Sequence, residues 1–280
     1  MTRYLCSAAL WFALVAVSLF AVRVAAATEV EVAIADLAAL DPAKSHEARE
    51  VALAALIRLI ERDDEALAHT LAEFATTEDD ALRGRLAVAL GLVDDPHIEA
   101  VALLMTRPHE PLARRLAALD LLDRRDSVDP EIVGGIVELL ESDEPPAVHA
   151  RALYALGRPQ DDPALVRRVL AAVRPHALGP GDELRARALW VTAQWARAEP
   201  DLAPVLAAVS HDDRRLRAAA CFALGQARLH TVAAEAALVA RMTAEDERPA
   251  VRDRAWRSLR RLPVREDTRQ RVQAFRPAAP

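Results

Sequence analysis

The sequence predicts an all-α fold, an α-α superhelix of about seven helix-pair repeats. A motif recurs seven times: Arg, a small residue three positions later, a small residue or its equivalent at six, Leu at seven and often Gly at eight. It reads LRGRLAVALG at 82–91, VHARALYALG at 148–157 and LRAAACFALG at 216–225, with looser copies at 48–57, 113–122, 184–193 and 251–260. The anchors are Arg49, Arg83, Arg114, His149, Arg185, Arg217 and Arg252, spaced by 34, 31, 35, 36, 32 and 35 residues. A period in that range is the mark of a solenoid, whose units bury their apolar faces only against their neighbours. Second apolar segments separate the motifs, and no stretch alternates as a strand does.

Residues 1–27 read as a secretory leader. Arg3 gives a short positive start, Leu5 to Val22 is an uncharged apolar run, and Ala25-x-Ala27 offers a cleavage site before Thr28. The alternative is retention, with residues 5–22 as an inner-membrane anchor, since the run is just long enough to span. Export to the periplasm or envelope is expected either way. Residues 28–275 then form a single solenoid, opened by a helix over 30–40. Each anchor motif follows as an amphipathic helix, with positions −1, +3, +6, +7 and +10 on its apolar side. Between anchors come apolar segments such as IEAVALLM at 98–105, EIVGGIVELL at 131–140 and ALVRRVLAAV at 164–173. Their starts are signalled by Asp95-Pro96, Asp129-Pro130, Asp162-Pro163 and Glu199-Pro200.

Acids precede most anchors, at Asp79, Glu110, Glu144, Asp182, Asp213 and Asp246. They are expected to cap the first turn and to meet the anchor arginine across the repeat boundary. This ladder of Arg49, Arg83, Arg114, Arg185, Arg217 and Arg252 reads as structural, because every unit repeats it. The longest break, 175–183, suggests a bend. A polar-faced capping helix is expected over 264–275, and 276–280 as a frayed tail.

Composition narrows the function. The net charge is −6, and loss of Arg3 and Arg23 with the leader deepens it to −8. A chain of that sign is a poor nucleic-acid binder unless its arginines segregate. Cys221 is the only cysteine beyond the leader, so no disulfide closes within the mature chain.

The Asp-rich turn, Arg, then AxxALG resembles the HEAT repeat, in the short bacterial form of phycobilin-lyase-like proteins, over roughly residues 30–262. The resemblance implies helix pairs whose second helices line a concave face. Deoxyhypusine hydroxylase, similar in architecture, holds two irons with His-Glu pairs that follow the Arg at +1 and +2. Here His46-Glu47 and His109-Glu110 precede their anchors instead, so metal ligation and a cofactor are not expected. A bilin-lyase activity fits an exported chain poorly. No Gly-rich phosphate loop or nucleophile elbow is present. Cys221, at +4 and beside the presumed groove, reads as a small filler rather than a redox handle.

One constellation points to binding. Position +5 is expected to face away from the core, and across the repeats it is Ala54, Val88, Leu119, Tyr154, Trp190, Phe222 and Arg257. Three consecutive units thus place an aromatic there in a chain with 4% aromatics, while position +2 adds Arg151 and Arg187. Aromatic and arginine anchors over small residues are the material of binding hot spots. The competing reading is that these rings pack over the adjacent helix. The sequence therefore favours a non-enzymatic scaffold that recognises a peptide or protein partner on its concave face. The alternatives are an enzyme or enzyme subunit holding a small ligand in the same groove, and an envelope component bound through its convex face.

Overall fold

The computed structural model describes residues 29–40, 46–125 and 128–275. The chain is all-α and built of paired helices, and among the described residues there is no strand. The leader over 1–27 and the tail over 276–280 lie outside the described residues. The fold separates into two compact units, divided between Arg125 and Asp126.

The first unit holds α1 (residues 29–38), α2 (His46–Arg62), α3 (Asp64–Thr76), α4 (Asp80–Gly91), α5 (Pro96–Met105) and α6 (Leu112–Arg124). The second holds α7 (Pro130–Glu141), α8 (Pro146–Ala155), α9 (Pro163–Leu178), α10 (Asp182–Trp195), α11 (Ala203–Ala208), α12 (Arg214–Gln226), α13 (Val232–Thr243), α14 (Pro249–Leu259) and α15 (Glu266–Ala274). Anchor motifs occupy the even-numbered helices from α2 to α14. In the first unit α2 packs on α4 and α4 on α6, while in the second α8, α10, α12 and α14 stack in succession. The odd-numbered helices form the other layer, with α7 on α9, α9 on α11 and α11 on α13.

The buried positions show why this sequence makes this layer. In α4 they are Leu82, Arg83, Leu86, Ala87, Ala89, Leu90 and Gly91; in α12 they are Leu216, Ala220, Cys221, Ala223, Leu224 and Gly225. Position +4 therefore joins the core beside +3, +6 and +7. Each fully buried Leu contributes about 1.5–3 kcal/mol relative to exposure. Glycine at +8 is where consecutive anchor helices come closest. A Cβ on Gly91 would lie 2.7 Å from Arg124 Cβ, and one on Gly225 would lie 2.5 Å from Ser258 Cβ. Neither neighbour can yield without moving its helix. We expect Gly225→Ala to cost about 1–3 kcal/mol through overpacking, seen as a lower Tm in the helical circular dichroism signal.

Helix starts follow the expected chemistry at three of the four signalled sites; Glu199-Pro200 instead opens a 3-10 turn over Glu199–Leu202, without a side-chain cap, that leads into α11. Asp95, Asp129 and Asp162 are N-caps with Pro at the first helical position, and each accepts a backbone N–H from its own first turn. Proline costs nothing there, since that N–H has no helical partner. On the even helices the expectation needs correction. Asp79 and Asp213 cap α4 and α12, but α6, α8 and α14 begin beyond Pro111, Pro145 and Arg248 without a side-chain cap, and α10 begins beyond Gly181. Extended backbone before a helix is already enforced by proline at two of these sites.

The break read over 175–183 is also shorter than expected. Helix α9 continues through Pro175 to Leu178. Its last turn buries Ala177, and His176 Nε2 meets the Leu140 carbonyl at 3.1 Å. Only residues 179–181 then connect α9 to α10. Gly181, at φ +96°, makes the turn in a conformation that favours glycine.

The third repeat is shifted by one residue from its sequence alignment. In α6 the buried residues are Arg115, Ala118, Leu119, Leu121 and Leu122. Counted from Arg115 they occupy 0, +3, +4, +6 and +7, as in α4. Leu119 is thus a core residue at +4, fully buried, and not part of the outward +5 column. Asp120 holds that place.

Candidate functional site

The anchor residues share one geometry in six of the seven motifs. Each reaches a main-chain carbonyl at or just past the C-terminal end of the preceding odd-numbered helix. Arg83 donates to the Thr77 carbonyl, Arg115 Nε to Thr106 O at 3.0 Å, and Arg185 Nε to Ala177 O at 3.1 Å. Arg217 Nη1 donates to His211 O at 2.8 Å, and Arg252 Nε to Met242 O at 3.1 Å. His149 Nε2 approaches Ser142 O at 3.1 Å in the fourth motif. A cation at a helix C-terminus satisfies carbonyls that have no partner within the helix and lies at the negative end of its dipole. The ladder is therefore carbonyl-directed within each helix pair more than acid-directed between pairs. Arg114, the sequence choice for the third rung, instead lies half-buried, 3.5 Å from both Glu110 and the Thr76 carbonyl. Arg49, on α2, is exposed.

One rung does bridge repeats through an acid. Arg217 Nε and Nη2 each lie 2.7 Å from a Glu247 oxygen, a two-pronged pair between α12 and the turn before α14. These bonds from Arg217, ahead of the opposing cost of burial, hold the Glu247 carboxyl below its ordinary value. The expected partner at this turn was Asp246, and the structure selects its neighbour.

The +5 aromatics lie on the side of the even helices turned from the odd layer, and the structure joins them to arginines. Tyr154, Trp190 and Phe222 are all half-buried. Arg187 stacks on both of the first two, its Cζ 3.5 Å from the Tyr154 ring centroid and 4.0 Å from that of Trp190. Trp190 also leans on the preceding repeat, since a Cβ on Gly157 would lie 2.6 Å from its ring. Arg254 of α14 sits 5.3 Å from the Phe222 centroid, repeating the relation of Arg187 to Tyr154 two rungs further on. Tyr154 and Phe222 thus each lie under the +2 arginine of the next unit, while Trp190 lies under the +2 arginine of its own; such cation–π arrangements contribute about 0.5–2 kcal/mol. Arg151, at +2 of α8, is exposed beside Tyr154. The rings thus pack in part and present edges and guanidinium groups in part.

Other candidates resolve as follows. Cys221 is fully buried on the core side of α12, and burial pushes its thiol up to about 12, so it is unreactive rather than a groove residue. His46 pairs with Glu50 at 3.2 Å and His109 with Glu110 at 3.6 Å, both at the surface. Among the described residues no group of three His, Cys, Asp or Glu side chains is placed to hold a metal, and no helix is long and apolar enough to cross a membrane.

Sequence reasoning missed two buried charged groups. Arg125, 4% exposed, donates to Glu99 at 3.1 Å and to the Val93 carbonyl, tying the end of α6 to the turn before α5. Glu235, fully buried in α13, accepts from Thr268 and from Arg265 Nε at 3.1 Å, holding α15 in place. Burial alone would raise its carboxyl, but those hydrogen bonds outweigh it and keep the group below its ordinary value. An isolated acid on an otherwise apolar helix face was the available signal for both.

No family model matches the chain, and no curated protein matches it in sequence. Among solved structures it is similar to the CpcE–CpcF complex of phycocyanin lyase from Nostoc sp. PCC7120, at 19% identity over 88% of this chain and 92% of that one, with a TM-score of 0.48. It is also similar to human deoxyhypusine hydroxylase in complex with glycerol, at 20% identity over 90% of both chains, with a TM-score of 0.36. An engineered protein matches at 16% identity over 88% of this chain and 71% of its own, with a TM-score of 0.41.

Proposed function

We propose that this protein is a binding scaffold that recognises a peptide or protein partner on the face of its anchor helices turned from the odd-numbered layer, the face expected to be concave. The contact surface is the aromatic–arginine stripe of Tyr154, Trp190 and Phe222 with Arg151 and Arg187. The observation that carries this reading is the stacking of Arg187 between Tyr154 and Trp190. It fixes a planar cation and two ring edges on a surface otherwise made of small residues such as Ala150, Ala186 and Ala218. Side chains ordered before a partner arrives lose little entropy on binding. The groups on this face offer shape, ring edges and hydrogen-bond donors, which suits recognition rather than bond-making. From the leader pattern alone, we place the encounter in the periplasm or at the envelope.

The test is affinity capture from the native envelope with the wild type beside Trp190→Ala. Partner affinity is expected to fall by about 2 kcal/mol or more, as at a hot spot, with helicity retained. Undiminished capture by a folded variant would move the interface off this face.

A further inference from the structure

Two sets of arginines in the second unit contrast. Arg185, Arg217 and Arg252 are directed into the fold and spend their donors on carbonyls or Glu247. Arg215, Arg254, Arg260 and Arg261 are exposed, and none of these four forms an ion pair among the described residues. They gather on the stripe side at its C-terminal end. Arg215 and Arg254 flank a shallow cavity of about 480 Å³, floored by Ala218, Ala219 and Phe222. Beside it, a second depression of about 290 Å³ is lined by Arg257, Arg260 and Arg261 alone. Two acids lie against this group: Asp253 pairs with Arg257 at 3.0 Å, and Asp213, which accepts the Arg215 backbone N–H at 2.7 Å, draws on the Arg215 charge. In a chain with a net charge of −6, exposed arginines are thus brought together around two cavities.

We infer that this face takes an extended, acidic polypeptide segment, its carboxylates seated between Arg215 and Arg254 and in the adjoining Arg257–Arg260–Arg261 depression. The inference rests on the reading of the stripe as a partner surface and supplies the partner's chemistry. Three features select carboxylates on a peptide. Guanidinium forks match carboxylates in a planar, two-pronged geometry. The basic sites are small and separate, suited to side chains rather than to a continuous phosphate rail. The ring faces that nucleobases would stack on are already covered, Phe222 by Arg254 and both Tyr154 and Trp190 by Arg187. Packed helices lie about 8–10 Å apart and an extended chain advances about 3.3 Å per residue, so successive rungs match acids about three residues apart.

The experiment is fluorescence anisotropy with the purified chain and a labelled peptide that repeats Glu-Ser-Ala four times, beside its Gln-Ser-Ala counterpart. The Glu peptide is expected to bind, more weakly as salt rises. The pair Arg215→Gln with Arg254→Gln should weaken it about tenfold, and Arg167→Gln with Arg174→Gln, exposed on α9, less than about twofold. Melting temperature and helicity of both double variants are measured alongside to establish folding. Equal binding of the Gln peptide, or an equal loss from the α9 pair, would overturn the inference. So would binding of an oligo-dT strand or of phosphatidylglycerol vesicles in place of the Glu peptide. If the Glu peptide fails while envelope capture still depends on Trp190, the acidic class falls and the stripe reading stands. If capture is also indifferent to Trp190, both fall.

Discussion

Trp195→Ala is expected to lower the unfolding free energy by about 3–5 kcal/mol, the range for truncating a core aromatic. Trp195 is fully buried at the end of α10, and its indole N–H donates to the Leu156 carbonyl at 2.6 Å. Leu156 closes α8, so one side chain both fills the space between two rungs and satisfies a carbonyl at a helix end. Trp195→Phe separates these roles. It keeps most of the volume but leaves the carbonyl unpaired, and is expected to cost about 1–3 kcal/mol. Urea unfolding followed by circular dichroism measures both. Equal and small losses for the two variants would mean that the rung interface relaxes around the missing ring.

Arg217→Ala is expected to cost about 3 kcal/mol, the low end for breaking a buried pair, because Glu247, whose side chain is 2% exposed, loses its two-pronged partner and keeps only Arg241 at 3.4 Å and the Arg248 backbone N–H at 2.8 Å. Replacing both members together, Arg217→Met with Glu247→Leu, should recover much of that loss, since no buried charge then lacks compensation. The pH dependence follows from the direction of the carboxyl shift. Glu247 is held below its ordinary value of about 4.5 in the fold, so its contribution is complete above that pH. It is lost as pH falls through the lower, folded value, where the unfolded chain already binds the proton. The acid limb of the wild-type stability curve should therefore be steeper than that of the double variant. Parallel limbs would show that the pair contributes nothing net.

The repeat itself was legible because seven copies share one spacing of anchor, small residues and Leu, a pattern no single helix imposes. The register of the third copy was not, and the reason is local. Arg114 and Arg115 are adjacent, so either satisfies the anchor, and the choice of Arg114 put Asp120 at the buried +6 position. That misplaced acid was the sign of the error. The anchor's chemistry was hidden in another way: acids are visible in sequence, whereas the carbonyls that Arg83, Arg115, Arg185 and Arg252 reach carry no letter of their own. Pro175 misled because a proline near a helix end reads as a stop, yet the buried Ala177 and the His176–Leu140 contact extend α9 past it. At the candidate site, the column of Tyr154, Trp190 and Phe222 and the flanking Arg187 could be read from spacing. The pairing of Phe222 with Arg254 could not, because it joins +5 of one unit to +2 of the next across 32 residues.

The partner is expected to meet the even-helix face. Lys44 is the only lysine, so amine-directed crosslinkers cannot map the interface. A photo-crosslinking residue placed singly at Ala186 or Ala218 samples the stripe, and at Ala171 or Ala236 the odd-helix layer. Irradiation in the native envelope is expected to yield a partner adduct from the first two positions and none from the second two. Adducts from Ala171 or Ala236 alone would place the interface on the opposite layer and contradict the account.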